Sequence, residues 1–438
     1  FRSTFRPNRR YRYMDDNMFD SRVSLEIPVG GEGRKSKVTV GGGYHYNERE
    51  NQQVLYTLQG VELGTPLDVH PREVITRERL FISDTLARFD LWYTAAGTEL
   101  DSDIGFRNII SSFVKLDYQL LTRLRVVGGV RAEYTDIYQD ILEYYERDLP
   151  PGSPERDTQA GEIVNPASII ELNFLPSANL IYKIQDDRNA PMNLRGSYFF
   201  SIARPSIREI SSMSLIDFEL RGRVRGNPDL QITRVDNFDI RLEKYTESGS
   251  LFSITMFYKN FRNHIELIQD AGGDVFTWQN VPESFATGIE LEAKFNIIDN
   301  LEFRGNFSWI ESETTVTIPV EETRPMFGQA PYIVNAMLTY AFDEIGLTAS
   351  ASYNVQGPKL AVVAGAADAA PDIFELPRNV VDINLTKRIG DHFRAGFKIR
   401  DLINNPIRRA YDYEEGYILD FDNIRWGTTY QLNLSYTI

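Results

Sequence analysis

The chain has 438 residues, 12% of them aromatic, no cysteine and a formal net charge of −15. Without cysteine there is no disulfide framework and no thiolate metal site, and an acidic chain lacks the surplus of lysine and arginine that binds phosphate backbones, which excludes nucleic acid as an expected partner. No apolar run approaches the roughly 18 residues of a membrane helix; the nearest, Leu360 to Ala370, is interrupted by Asp368 and reads as a small-residue loop.

In chain order the first clear strand is Ser21 to Val29, with Val23, Leu25, Ile27 and Val29 on one face and Arg22, Ser24 and Glu26 on the other. A period of two means a β-strand, because successive side chains point to opposite faces. A glycine-rich turn, Gly30 to Lys35, leads into Val38, Val40, Gly42, Tyr44 and Tyr46, completing a hairpin. A charged connection from about Glu48 to Gly105 follows. The unit then repeats: Ser112, Val114, Leu116, Tyr118 and Leu120 run to a tight turn at Leu121-Thr122 and return through Leu124, Val126, Gly128, Val130, Ala132 and Tyr134.

After an acidic segment to about Phe174, Ala178-Leu180-Tyr182 turns at Asp186 to Pro191 into Leu194-Gly196-Tyr198-Phe200-Ile202. Further tight turns fall at Glu247 to Ser250, Ile297 to Asn300, Asp343 to Gly346 and Gly390 to His392. Longer connections run roughly over 203–233, 263–285, 312–330, 357–377 and 401–424. The last strand, Thr428 to Ile438, has the cleanest division. Tyr430, Leu432, Leu434, Tyr436 and Ile438 fall on one face, and Thr429, Gln431, Asn433, Ser435 and Thr437 on the other.

Short turns and long connections thus alternate along the chain. A soluble sandwich mixes hairpins with crossovers between sheets and has no reason to sort connection lengths. An up-and-down barrel in the outer membrane does, with short periplasmic turns and long extracellular loops. The expected fold is therefore all-β over residues 1–438, a transmembrane antiparallel β-barrel of about 15 strands in a bacterial outer membrane, in contact with its lipid. Single-chain bacterial barrels have an even strand number, so at least one further strand is expected upstream of Phe1.

The faces opposite the apolar ones carry charge. Arg131 and Glu133 stand beside Val130 and Ala132, Arg241 and Glu243 beside Ile240 and Leu242, and Glu290 and Glu292 beside Ile289 and Leu291, with Arg304 on the next strand. Such charges either pair across strands or line a hydrated interior or a polar filling, since a barrel this wide does not fill itself with side chains. No catalytic constellation is present, and the chain does not read as an enzyme. His45, His70, His264 and His392 are scattered without metal-ligand spacing. Two acidic clusters, Glu99, Asp101 and Asp103, and Asp412, Glu414, Glu415, Asp420 and Asp422, could offer carboxylate oxygens to Ca²⁺. They are read as solvated loops, and no cofactor is expected.

Three passages carry a family likeness. They are Ala203-Arg204-Pro205-Ser206-Ile207-Arg208-Glu209 running on to Gly226-Asn227-Pro228-Asp229-Leu230 and Asp236-Asn237-Phe238-Asp239; Asn280 with Thr287-Gly288-Ile289-Glu290-Leu291-Glu292; and Asp401-Leu402-Ile403-Asn404-Asn405-Pro406. From about residue 106 to Ile438 the chain resembles the barrel of TonB-dependent outer-membrane receptors, particularly those with an N-terminal carboxypeptidase-regulatory-like domain. The resemblance implies a barrel of 22 strands with a plug in its lumen, uptake of a scarce nutrient such as a siderophore, oligosaccharide or peptide, and a TonB energising complex engaged through residues upstream of Phe1. On this view Arg131, Glu133, Arg241, Glu243, Glu290, Glu292 and Arg304 face the plug, and a surface lipoprotein over the extracellular loops is a candidate partner. The alternative is a barrel without transport that serves as a structural or docking subunit of a surface complex.

Overall fold

The computed structural model describes residues 8–29, 36–60, 89–93, 102–141, 167–217, 220, 222–269, 275–316, 322–364, 371–412 and 418–437. The chain runs through β1 (Asn8–Val29), β2 (Ser36–Gly60), β3 (Phe89–Tyr93), β4 (Ser102–Leu121), β5 (Leu124–Ile141), β6 (Ala167–Gln185) and β7 (Met192–Ala203). A one-turn helix, α1 (Ile207–Ile210), and a short hairpin of β8 (Ser214–Asp217) and β9 (Gly222–Arg225) come next. They lead to β10 (Thr233–Tyr245), β11 (Leu251–Gln269), β12 (Val275–Ile298), β13 (Leu301–Val316), β14 (Glu322–Arg324), β15 (Tyr332–Phe342) and β16 (Leu347–Gln356). The chain closes with β17 (Lys359–Ala364), β18 (Ile373–Glu375), β19 (Arg378–Ile389), β20 (Phe393–Arg400), β21 (Ile407–Asp412), β22 (Ile418–Ile424) and β23 (Thr429–Tyr436).

Among the described residues, fifteen of these strands pair antiparallel, each with the next, in the order β1-β2-β4-β5-β6-β7-β10-β11-β12-β13-β15-β16-β19-β20-β23. This is the up-and-down wall that the alternating connection lengths predict. Short turns on one rim use glycine where the backbone must turn left-handed, at Gly249, Gly346 and Gly390 with φ of 80°, 62° and 61°. No helix among the described residues is long and apolar enough to cross a membrane.

The wall is apolar outside. Leu434 is 74% exposed, Val23 73% and Leu432 67%. A contiguous apolar surface of this kind is stable only against lipid. Two rows of rings mark the outward face. Tyr198, Phe238, Tyr258 and Phe285 follow one another at centroid distances of 4.9, 6.5 and 6.2 Å, nearer the long-loop rim. Phe252, Phe295 and Phe303 follow at 5.9 and 5.3 Å, nearer the short-turn rim.

The strands are longer at the long-loop rim than the alternation indicates. β1 begins at Asn8 rather than Ser21, β2 runs on to Gly60, and β6 begins at Ala167 rather than near Ala178. Most of the expected connection at 263–285 is strand, since β11 continues to Gln269 and β12 starts at Val275. Beyond the bilayer neither face meets lipid, so the apolar side of the pattern disappears although the hydrogen-bonded ladder goes on. Asp15 and Asp16 of β1, for example, lie opposite Glu50 and Arg49 of β2. The supposed loop at Leu360 to Ala370 also begins as a strand, β17, while residues 365–370 lie outside the described residues, as does the turn at Gly30 to Lys35.

The two faces of β23 should respond differently to charge. Leu434→Arg should cost roughly 2–4 kcal/mol near the bilayer midplane, whereas Asn433→Arg, on the polar face opposite Gly396, should cost far less. Urea refolding titrations in lipid vesicles measure both, and equal penalties would contradict the assigned facing.

Candidate functional site

The inward charges are paired with one another. Glu133 of β5 accepts from Arg131 beside it and from Arg204, whose Nε also donates to Thr135 Oγ1 at 2.8 Å. Glu243 of β10 accepts from Arg195 at 2.6 Å and from Arg241 at 3.2 Å, and Arg241 reaches on to Glu292 of β12 at 2.8 Å. Arg304 pairs with Glu302, which also meets Lys294 at 3.5 Å. Arg195–Glu243 and Lys294–Glu302 bridge neighbouring strands along the diagonal, Arg241–Glu292 spans β11, and Arg131–Glu133, Arg241–Glu243 and Arg304–Glu302 join residues two apart on the same face of one strand. Glu290 is exposed, and no ion pair is found for it among the described residues. On β15 and β16 the same face is neutral, and on β19 and β20 Asp382, Lys398, Arg394 and Arg400 bring charge back among amides and hydroxyls. Asn335 donates to Asn306 at 2.7 Å and accepts from Asn354, and Ser350, Ser352, Asn384, Gln431 and Asn433 continue the polar surface.

The Arg204 passage explains why Glu133 is so well supplied. After β7 the chain turns inward and lies along the polar face of β4 and β5. Arg107 Nη2 donates to the Pro205 carbonyl at 2.7 Å, and Ser211 Oγ donates to Asp103 at 2.5 Å. Ile207 packs where a side chain at Gly105 would stand, since a Cβ there would lie 2.4 Å from it. α1 is held by a capping box, with Glu209 N donating to Ser206 Oγ at 3.2 Å and Ser206 N to Glu209 Oε2 at 2.7 Å.

The glycine-asparagine-proline block then seats against the end of α1. A Cβ on Gly226 would lie 2.1 Å from the Ser211 carbonyl oxygen, so only glycine allows the approach. Asn227 N donates to the Glu209 carbonyl at 2.6 Å, and its side chain donates to the Trp278 carbonyl at 2.9 Å. Pro228 takes the second position of the turn closed by Leu230 N to the Asn227 carbonyl at 3.4 Å, where a fixed φ fits. Ile210, Leu230 and Ile232 thereby join Ile137, Ala167 and Ile169 of β5 and β6 in a buried apolar cluster, against which Ile265 and Trp278 pack.

Three long connections meet on the extension of β11 and β12. β9 pairs parallel with β12 through 275–277, and β17 pairs parallel with β11 through Ile268 and Gln269. With β8 on β9, and β18, β21 and β22 following β17, the strands β8-β9-β12-β11-β17-β18-β21-β22 form one continuous run. One end is held to β1, where Arg12 Nη2 donates to the Ile216 carbonyl at 2.7 Å. The other end is tethered by the chain to β23. Val224, Phe276, Val362 and Ile373, one each from β9, β12, β17 and β18, form its buried apolar centre. This run is a roof on the long-loop rim.

The other residues named from sequence have structural posts. Phe257 lies across Gly288, where a Cβ would be 2.7 Å from its ring and 2.4 Å from the Trp309 carbonyl. Asn404 and Asp401 both have positive φ, 53° and 54°, in the turn after β20. Arg378 clasps that turn by pairing with Asp401 and donating to the Asn405 carbonyl at 3.0 Å. Asp103 is buried and accepts from Asn51 at 2.7 Å as well as from Ser211. Asp420 pairs with Arg408 at 2.7 Å, and Asp422 with Arg409 at 2.5 Å. Glu99, Asp101, Glu414, Glu415 and His70, and the side chain of Asp412, lie outside the described residues.

Sequence reasoning missed the roof and its centre. The available signal was a set of apolar residues, Phe276, Trp278, Val362 and Ile373, inside stretches read as connections.

A family model described as TonB dependent receptor-like, beta-barrel, matches residues 2–402. The chain belongs to that family. Among solved structures it is similar to a mutant of the ferric enterobactin receptor from Pseudomonas aeruginosa in complex with enterobactin, with 15% identity and a TM-score of 0.54 over 97% of this chain and 54% of that one. It is also similar to the copper transporter OprC, with 13% identity and a TM-score of 0.61 over 97% and 57%. The siderophore receptor PiuA from Acinetobacter baumannii gives 12% identity and a TM-score of 0.60 over 97% and 56%. The chain therefore spans about half the length of the structures it matches, and at these identities the likeness is one of fold. No curated protein matches its sequence.

In this TonB-dependent receptor barrel a polar knot at the base of the roof joins β11, β12, β13 and β14. Glu266 accepts from Arg324 at 2.6 Å and Gln279 at 2.9 Å and lies 3.6 Å from His264. Thr314 Oγ1 donates to Ser284 Oγ at 3.0 Å, and Ser284 Oγ is 2.8 Å from His264 Nδ1. Burial pushes the Glu266 carboxyl up, but the neighbouring His264 ring and the bonds from Arg324 and Gln279 more than reverse this and hold it below the usual carboxylate range. A depressed carboxylate contributes stability that is present above its unfolded pKa and lost as pH falls through the folded value. Roof protection in hydrogen exchange should accordingly fall below about pH 4, and Glu266→Gln should flatten that dependence; an unchanged profile would contradict the role.

Phe276→Ala should loosen the roof without unfolding the wall, because it empties the centre of the eight-strand run at a local cost of about 3–5 kcal/mol. Hydrogen exchange should rise in β9, β17 and β18 and stay constant in β15 and β16. Uniform exchange in both regions would place the residue in the wall's own core.

Proposed function

We propose that the protein is the wall and loop surface of an outer-membrane transporter that takes up a scarce nutrient, such as a siderophore, an oligosaccharide or a peptide, with energy delivered through TonB. The roof on the long-loop rim carries this reading. Three connections folded together on the long-loop rim suit a receptor that meets its cargo outside and admits it on command, whereas a general pore has no need to join its loops. Membership of the TonB-dependent receptor family supports the same reading. It requires further strands to close the wall, because β1 and β23 each pair on one side only among the described residues, and an open edge is not tolerated in lipid. It also requires a plug, for which the ion-paired face of β5 to β13 would be the counter-surface.

The test uses the full-length protein. Single-channel recordings in planar bilayers should show a closed wild-type channel and a leak when Arg131, Glu133, Arg241, Glu243, Glu290, Glu292 and Arg304 are neutralised together, exceeding the sum of single changes because the pairs form networks. Nutrient-limited growth should vanish when the inner-membrane energising complex is deleted. Growth that survives the deletion, or a wild-type channel already open to small solutes, would leave a passive pore or a docking barrel instead.

A further inference from the structure

The outward face is not smooth. Between β6, β7, β10 and β11 lies a groove of about 540 Å³, within the range of roughly 300–1,000 Å³ typical of small-molecule sites. Its floor is Gly196, which stands between Leu180 of β6 and Ile240 of β10 in the cross-strand row. A Cβ added at Gly196 would meet nothing within 4 Å. Ala178 and Met256 border the floor, and Tyr198 and Phe238 of the upper aromatic row close one end. A second groove of about 570 Å³, bordered by Leu242, Ile254 and Leu291, occupies the next outward positions toward the short-turn rim.

The upper end is polar. The Tyr198 hydroxyl donates to Asp236 Oδ1 at 2.9 Å, Arg262 pairs with the other Asp236 oxygen at 2.6 Å, and the Arg262 guanidinium lies 5.8 Å from the centre of the Phe200 ring. Arg262 is 45% exposed. The groove therefore runs from a charged cluster at the level of the aromatic row down into the apolar band, the polarity order of a lipid standing in the leaflet on the long-loop side.

We propose that this groove is a specific lipid site, in which one acyl chain of an outer-leaflet lipid lies over Gly196 with its polar end against Tyr198, Asp236 and Arg262. The groove is continuous with the surface that already faces lipid, which argues for a lipid occupant over a protein one. Elsewhere on the band lipid slides past side chains. Here the missing side chain at Gly196 and the small one at Ala178 leave a recess that a methylene chain fills, and the ring row above limits its movement.

The test is native mass spectrometry of the full-length protein extracted from its own membrane in mild detergent. Wild type should carry one retained lipid per chain. Gly196→Leu fills the recess from a position where its Cβ meets nothing within 4 Å and should lower retention about ten-fold; Ala178→Leu, narrowing the same recess from the neighbouring strand, should do likewise. Ala351→Leu, on the outward face of β16 away from the groove, should retain lipid as wild type does. Should Gly196→Leu fail to fold, seen as loss of heat-modifiable mobility on gels, the Ala178 variant carries the comparison. Equal retention in all variants, or equal loss in the Ala351 control, would overturn the proposal. So would a species of twice the chain mass that disappears with Gly196→Leu, since that would assign the groove to a second copy.

Discussion

Lipid offers no hydrogen-bond partner, so every amide and carbonyl at membrane depth must be paired within the sheet. Much of the remaining structure follows. Adjacent strands of the wall must pair along their whole membrane depth, as they do antiparallel from β1 to β23, with register shifts only beside the short turns, near Leu121, Gln185 and Ile298. Each strand must then present one face to lipid and the other to the interior, which gives the period of two. Charges confined to the inner face lie in a restricted space where an unpaired ion is costly, and most of those named here have found a partner: Glu133 with Arg131 and Arg204, Glu243 with Arg195 and Arg241, Glu292 with Arg241. The stability of the wall and the polarity of its interior have the same origin.

Above the bilayer the constraint is released, and the chain is built by other rules. The roof is held as a soluble protein is held, by buried apolar side chains such as Phe276 and Ile210 and by sheet pairing between separate connections. Its two clusters meet at Trp278, which packs against both. Glycine and asparagine at special backbone positions make the joints. Gly226 lets β9 abut the end of α1, and Asn263, with a φ of 56°, sits where β11 leaves the wall for the roof. Asn280 fixes that bend by donating to the Asn263 and Gln231 carbonyls at 2.8 and 3.1 Å.

How far this was legible from sequence divides along the same line. Where lipid imposes the pattern, as in Tyr430 to Tyr436 or Val126 to Tyr134, alternation marks the strand, its facing and the rim of its turns. Where β1, β2, β11 and β12 rise above the bilayer, both faces are wet or covered by loops, and the strands could not be told from connections. The inward charges were legible as a set, but not their partners: Arg131 beside Glu133 is local, whereas Arg204 reaches Glu133 from a passage 71 positions away. The Gly226-Asn227-Pro228 block stood out as a motif, yet its purpose depends on the α1 carbonyls it approaches, which only the folded chain brings near. Parallel pairing of β17 with β11 rests on two residues and has no pattern of its own in the sequence.

That small parallel junction has a consequence for how the outer surface can change. Loops on a barrel are usually treated as separate units, each free to be replaced or to drift. Here the connection after β7, the hairpin of β11 and β12, and the connections after β16 and β20 share one sheet. A replacement in any one of them must still present an edge that its neighbour can pair with. New binding properties would therefore arise more readily by exchanging the whole set than by grafting a single loop.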